Sequence, residues 1–426
     1  MKERIAIIAG VRTPFCKANG ILKEMEADDL GAFAVRELMA RTGVAPSQVD
    51  ELIFGNVLQP PHATNIARVL AVKGGLLEKT PAFTVNRNCA SGMEAMATAF
   101  NKIQLNEGKV FVVGGTESMS NFPILISKSL RDFLQRLSKA RGWQQKLKTL
   151  FSFRLGFLKP EVPKIADPIC GLTMGQTAEL VARDFKVTRK EQDYFAFISQ
   201  ERAAKARKDG RFGEEIIPMP YAPTYEKIQD TDDGPRDNQT MEDLKKLSPA
   251  FDKLTGTVTA GNSSQVTDGA VALLIMSESK AKELGLKPLG YFTDYAFAGL
   301  DPSRMGLGPV FATSKLLEQT GLKLEDFDLI EINEAFAAQV LGCVKAFASD
   351  DFAKKFLGRE KAMGRIEMEK LNVNGGAIAL GHPLGASGAR LILTLLLELK
   401  RRNKKRGLAA LCIGGGQGEA ALVEVE

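Results

Sequence analysis

The chain has 426 residues, 44% hydrophobic and 25% charged, with a net charge of +6. That length predicts two or three domains around a large core. No run of about 18 apolar residues occurs, which argues against a membrane-spanning helix. Five scattered cysteines and two histidines, with no Cys-x-x-Cys, argue against a disulfide framework, a zinc site or any other metal site. The start shows no signal-peptide pattern, so a reducing, cytoplasmic location is expected.

Residues 4–10 read as a buried strand, followed by a loop to Gly20. The spacing of Leu30, Phe33, Ala34 and Leu38 predicts a helix over 29–42, capped by Asp28 or Asp29. Residues 51–58 read as a second strand, and Asn65 to Leu76 as a helix. His62, beside Pro60 and Pro61, reads as a surface or interface residue.

The stretch Val85-Asn86-Arg87-Asn88-Cys89-Ala90-Ser91-Gly92-Met93 joins an extended run to helix formers from Glu94 to Phe100. Cys89 therefore sits where a strand turns into a helix. The positive end of a helix is expected to lower its thiol pKa, and the thiolate is the nucleophilic form. The next strand, 109–113, ends in Gly114-Gly115. Strands alternating with helices predict a layered α/β sheet.

Residues 121–160 hold nine Lys/Arg and one acid, Asp132, a net of +8 in a chain whose total is +6. Leu130, Phe133, Leu134 and Leu137, then Leu147, Leu150, Phe151 and Leu155, recur at helical spacing around Trp143. Two readings stand. The stripe packs on the body, or this amphipathic insertion meets an anionic surface.

Helices are expected after Gly171 and over 188–208, the latter opened by the capping-box pattern Thr188-Arg-Lys-Glu191. Residues 257–269 read as a loop of small polar residues, and 270–276 as a central strand. The last part repeats the first in outline. It has Ala386-Ser387-Gly388 at a helix start, a helix over 389–402, a strand over 408–413 and a Gly-rich turn from Gly414. A duplicated unit would bring the two helix starts together and put Cys89 and the 382 loop in one cleft.

Four ordered motifs then come together: Asn88-Cys89-Ala90-Ser91-Gly92, Asn333-Glu334-Ala335-Phe336, Gly381-His382-Pro383-Leu384-Gly385-Ala386-Ser387-Gly388 and Cys412-Ile413-Gly414-Gly415-Gly416. This set resembles the thiolase family from about residue 4 to the C-terminus. The resemblance implies a five-layered αβαβα fold of two similar halves with a loop domain. The expected parts are residues 1–120 with 265–286, the loop domain 121–264, and residues 287–426. The insertion, and a segment at 347–370, look like thiolase β-subunits of fatty-acid oxidation complexes.

The resemblance also implies roles. Cys89 is the acyl-accepting nucleophile, His382 its base, and Cys412, with a thiol pKa near 8.5, the α-carbon proton donor and acceptor. Asn333 would hold a water that forms one oxyanion hole with His382, and the backbone N–H groups of Cys89 and Gly414 would form the other. Ser264 would touch the pantetheine arm, and Met174 and Phe336 the acyl chain. CoA and acyl-CoA are expected as substrates with no further cofactor. Expected partners are further copies, in a homodimer or homotetramer, and, through 121–160, an oxidation-complex α-subunit or anionic membrane. No nucleic acid is expected. Thr173 stands where many short-chain thiolases have His, and Asn333 where many β-subunits have His. The alternatives are a β-ketoacyl synthase-like condensing enzyme, with a Cys-His-His or Cys-His-Asn triad where this chain has no second usable histidine but has Cys412, and a non-catalytic lipid-binding homologue.

Overall fold

The computed structural model describes residues 3–123, 125–159 and 166–426. Ile124 and residues 160–165, which fall in the expected loop domain, lie outside the described residues.

Nine strands form the path of the main sheet: Ile5–Arg12 (β1), Glu51–Gly55 (β2), Ala82–Val85 (β3), Val110–Glu117 (β4), Thr267–Ser277 (β5), Gly290–Gly299 (β6), Leu329–Ile332 (β7), Arg406–Ile413 (β8) and Gln417–Glu424 (β9). Their order is β7-β8-β9-β6-β1-β5-β4-β2-β3. The two halves carry the same pattern. From β1 outward, β5 and β4 are antiparallel neighbours, and β2 and β3 continue parallel to β4. From β6 outward, β9 and β8 are antiparallel, and β7 runs parallel to β8. A short antiparallel pairing of Ile5–Ile7 with Gly290–Phe292 joins the halves.

The helices that cover these strands include Ala27–Thr42 (α1), Ser91–Gln104 (α2), Gly308–Thr320 (α3), Ala337–Phe347 (α4) and Leu384–Arg401 (α5). Alternate strand residues face opposite sides, and this sorts them into separate cores. Phe111, Val113, Leu273 and Ile275 pack with Met93, Met96 and Phe100 of α2. In that same cluster Ala409, Leu411 and Val423 of the other half meet Leu391, Leu395 and Leu399 of α5. The intervening residues Val110, Val112 and Leu274 face α1, while Leu408, Ala410 and Leu422 face α3 and α4. The layers therefore run α, β, α, β, α, with α2 and α5 in the middle. Most of α5 is buried there, and the polar residues along one stripe of it, Arg390, Thr394 and Glu398, are paired with Glu331, Glu215 and Arg211.

Several boundaries differ from the sequence reading. The helix expected over 29–42 spans Ala27–Thr42, with Asp28 and Asp29 in its first turn and Glu26 as the flanking cap. Acidic residues there face the positive helix end rather than capping it. The helix expected from 389 begins at Leu384 directly after Pro383, because Gly385 and Gly388 are weak helix formers held by packing. The capping box at Thr188 and Glu191 is present.

The starts of α2 and α5 meet backbone to backbone. A Cβ on Gly92 would lie 2.7 Å from the Gly385 carbonyl oxygen, and one on Gly388 would lie 2.7 Å from the Met93 nitrogen. A Cβ on Gly115 would overlap the same Gly385 carbonyl. Gly115→Ala is therefore expected to lower stability by about 1–3 kcal/mol or more. Urea unfolding reads this as a lower midpoint at an unchanged slope; an unchanged midpoint would contradict so close an approach.

Candidate active site

Cys89 is the last residue before the turn into α2. Asn88 adopts φ +46°, a left-handed conformation that asparagine tolerates. The Ser91 N–H and hydroxyl both donate to the Asn88 carbonyl, at 3.0 and 2.7 Å. The Ser91 oxygen in turn accepts from the Arg87 N–H. The turn is thus fixed on both sides of Cys89. The Asn88 side-chain amide donates to the Gly414 carbonyl at 2.8 Å and ties the turn to the end of β8.

The thiol does not behave as the sequence predicts. Burial pushes its pKa up, and N–H groups of Gly414 and of Cys89 itself draw it only partly back. Desolvation of the charged form outweighs the helix end. The expectation of a lowered pKa is therefore wrong for the resting site. Cys412 departs further, being fully buried and pushed well above an ordinary thiol, first by burial and then by the neighbouring Cys89. A pKa near 8.5 does not hold for it.

His382 is 5% exposed and follows Gly381, whose φ of +100° few other residues adopt. Its N–H donates to Gln265 O and Thr267 Oγ1, each at 3.1 Å. The Ser387 hydroxyl donates to Pro383 O at 2.9 Å and lies 2.6 Å from His382 Nδ1. Its one proton is used, so Nδ1 carries the ring hydrogen and Nε2 is left as acceptor. Asn333 Nδ2 faces that Nε2 at 3.3 Å. Burial, helped by the Arg390 charge, lowers His382 to about 4, so the ring is neutral at pH 7.

The other singled-out residues gather around Cys412. Cys412, Met174 and Phe336 belong to one apolar cluster, in which Phe336 meets Phe251 edge-on at 5.9 Å. Met174 Sδ lies against Gly414. Thr173 caps the helix Met174–Asp184 through a full capping box with Gln176, which gives this residue a structural role. Ser264 N–H donates to Ala335 O at 2.9 Å, which joins the polar loop to the Asn333 segment. His62 is elsewhere, 3.2 Å from Asp28.

Two residues here escaped the sequence reading. Ser387 sets the His382 tautomer, and Glu117, at the end of β4, accepts the Gly385 N–H at 2.9 Å. Ser387 lies in the His382 motif itself, five residues on, where its role was not read; Glu117 stands in no pattern that marks chemistry, and only the fold brings it to the site. A cleft of about 860 Å³ lined by Phe311, Phe352 and Arg304 contains none of the residues singled out above.

A partly buried Cys89 thiol with a raised pKa and a neutral His382 should both be uncharged at rest. The rate of Cys89 alkylation by iodoacetamide is then expected to keep rising with pH beyond about 8.5. A plateau reached by pH 7 would instead reveal a resting thiolate–imidazolium pair.

Comparison with known proteins agrees with this arrangement. The thiolase N-terminal domain matches residues 5–279, and the thiolase C-terminal domain matches residues 286–425. A 3-ketoacyl-CoA thiolase of Yersinia enterocolitica is 45% identical over 425 residues, covering 100% of this chain and 97% of the relative. Among solved structures, an acetyl-CoA acetyltransferase of Bacillus anthracis superposes with a TM-score of 0.87 at 38% identity, covering 99% of each chain. The human mitochondrial 3-ketoacyl-CoA thiolase in complex with CoA gives a TM-score of 0.84 at 37% identity, covering 100% of this chain and 98% of the other. Two domain matches spanning nearly every residue, and relatives aligned end to end, place this chain in the thiolase family of acyltransferases.

Proposed function

We propose that this chain cleaves 3-ketoacyl-CoA with CoA to acetyl-CoA and a shortened acyl-CoA, and carries out the reverse condensation on the same residues. The observation that supports this most is the tie between the Cys89 turn and the end of β8, with Gly414 N–H at the Cys89 sulfur and Cys412 beside it. The names of relatives such as the Yersinia protein point to the same substrate class.

Protons and electrons balance along this route. The Cys89 proton passes to His382 Nε2 as sulfur attacks C3 of the substrate. The C2–C3 bond breaks, and Cys412 gives its proton to the departing acetyl-CoA carbanion. Incoming CoA thiol then returns a proton to Cys412 and attacks the thioester. Cys89 leaves and recovers its proton from His382. The raised pKa of Cys412 suits a group that protonates a carbanion. The N–H groups of Cys89 and Gly414 face the thioester oxygen. Asn333 accepts from a bound water beside His382 through Oδ1; that oxygen being buried and without a hydrogen-bond partner among the described residues supports this role. Ser264 lies on the CoA side, Met174 and Phe336 on the acyl side. CoA and acyl-CoA serve as substrates, with no other cofactor. His62, held by Asp28, does not supply the second histidine of a synthase-like site. The unit in solution is a homodimer or homotetramer. Five free cysteines fit a reducing cytoplasm.

The basic insertion carries a second part of the reading. Helices Lys128–Lys139 and Trp143–Phe151 and a turn at Leu155–Leu158 form a small unit centred on Phe133, Phe153 and Phe157. Body packing does not cover the stripe. Trp143 is 73% exposed, Phe151 82% and Leu155 80%. Exposed aromatic and aliphatic residues among lysines and arginines match an anionic membrane surface. Among the described residues no helix is long and apolar enough to cross a membrane.

Mass spectrometry after mixing with acyl-CoA should find the acyl group on Cys89. Cys412→Ala should still acylate Cys89 yet lose deuterium exchange at the acetyl-CoA methyl. Normal exchange in that variant would remove the proton-transfer role from Cys412.

Sedimentation with anionic vesicles should carry the protein down at low salt and release it at high salt. Failure to bind at low salt would leave an acidic α-subunit as the partner for this surface.

A further inference from the structure

We propose that Glu117 is a positioning residue for the acyl-transfer site, whose buried carboxylate fixes the turn bearing His382 against the start of the Cys89 helix and places a negative charge behind the nucleophile. The proposal rests on Cys89 being the acyl acceptor.

Glu117 ends β4 and is fully buried. Four donors converge on its two oxygens. Oε1 accepts from Asn56 Nδ2 at 3.0 Å and Leu58 N–H at 2.9 Å, and Oε2 from Val57 N–H at 3.1 Å and Gly385 N–H at 2.9 Å. No cation pairs with it among the described residues. Gly385 is the second residue of α5, three residues after His382, and its carbonyl packs against Gly92 and Gly115. The Glu117 side chain is therefore a strut between the loop after β2, the end of β4 and the first turn of α5. A neutral side chain of the same shape could not satisfy four N–H donors, since an amide offers one acceptor oxygen.

The charge has its own consequence. Glu117 is the carboxylate that acts on the Cys89 sulfur, and it disfavours the thiolate. Burial holds Glu117 itself up at about 7, with Asp268 of β5 adding to the rise, so it is ionised in the alkaline range where a thiol titrates. The remaining groups that face this corner are Cys412, beside Cys89, and Arg390, beside His382. A carboxylate here keeps the uncharged thiol–imidazole pair as the resting state, and the turn it holds keeps that pair aligned.

The test is alkylation of Cys89 by iodoacetamide across pH, followed by peptide mass, together with thiolysis kinetics. Glu117→Gln is expected to lower the alkylation midpoint by about one pH unit, because a nearby negative charge is removed. The same variant should lose roughly tenfold or more in kcat with KM little changed, as misalignment of a catalytic pair does. Glu117→Asp keeps the charge with a shorter reach, so its midpoint should stay at the wild-type value while kcat falls. A midpoint that is unmoved or raised in Glu117→Gln overturns the proposal. Should Glu117→Gln not fold, a wild-type kcat in Glu117→Asp overturns it instead. Acylation of wild-type Cys89, read separately by mass, keeps a failure here distinct from a failure of the acyl-transfer reading.

Discussion

The structure depends on one steric constraint, the contact of two helix starts with no side chain between them. Gly92 and Gly115 both lie against the Gly385 carbonyl, and Gly388 lies against the backbone of Met93. Close packing leaves no room for a methyl group at such a crossing. The central helices α2 and α5 can therefore approach closely at their starts, with Cys89 two residues before one and His382 two residues before the other. The repeated strand order on either side follows from the same arrangement. Each half-sheet turns one face to the shared helical layer and the other to its own outer helices.

The chemistry rests on how desolvation is met group by group. Glu117 is buried but receives four donors. Glu419, by contrast, is buried with neither oxygen hydrogen-bonded among the described residues, and burial drives its pKa well up. A charge without partners in a low dielectric neutralises itself. The same principle keeps Cys89 and Cys412 as thiols and His382 as a neutral ring. At Cys89 the N–H groups of Gly414 and of Cys89 itself reach the sulfur and offset only part of that cost.

The insertion obeys a different logic. Its aromatic centre of Phe133, Phe153 and Phe157 holds the unit together, yet Trp143, Phe151 and Leu155 stay outside it. Hydrophobic periodicity in the sequence identifies a face that needs cover but not what covers it. Only the packing shows that the body leaves this face open.

The α/β class, the duplicated outline and the turn at Cys89 were all legible in the sequence. Strand alternation, helix periodicity and glycine-rich turns are local signals, and four ordered motifs carried the family. Local signals also misled. The helix end near Cys89 suggested a lowered pKa, and Gly385 hid the true start of α5. The sequence by itself determined which residues are chemically able to act, because nucleophile, base and turn chemistry are properties of residue types. Tertiary structure decided their charge states and their company. Burial and the Glu117 strut come from residues distant in the chain, whereas Ser387 reaches His382 from five residues on, once the turn into α5 has formed; desolvation depends on what surrounds a group in space rather than what precedes it in sequence.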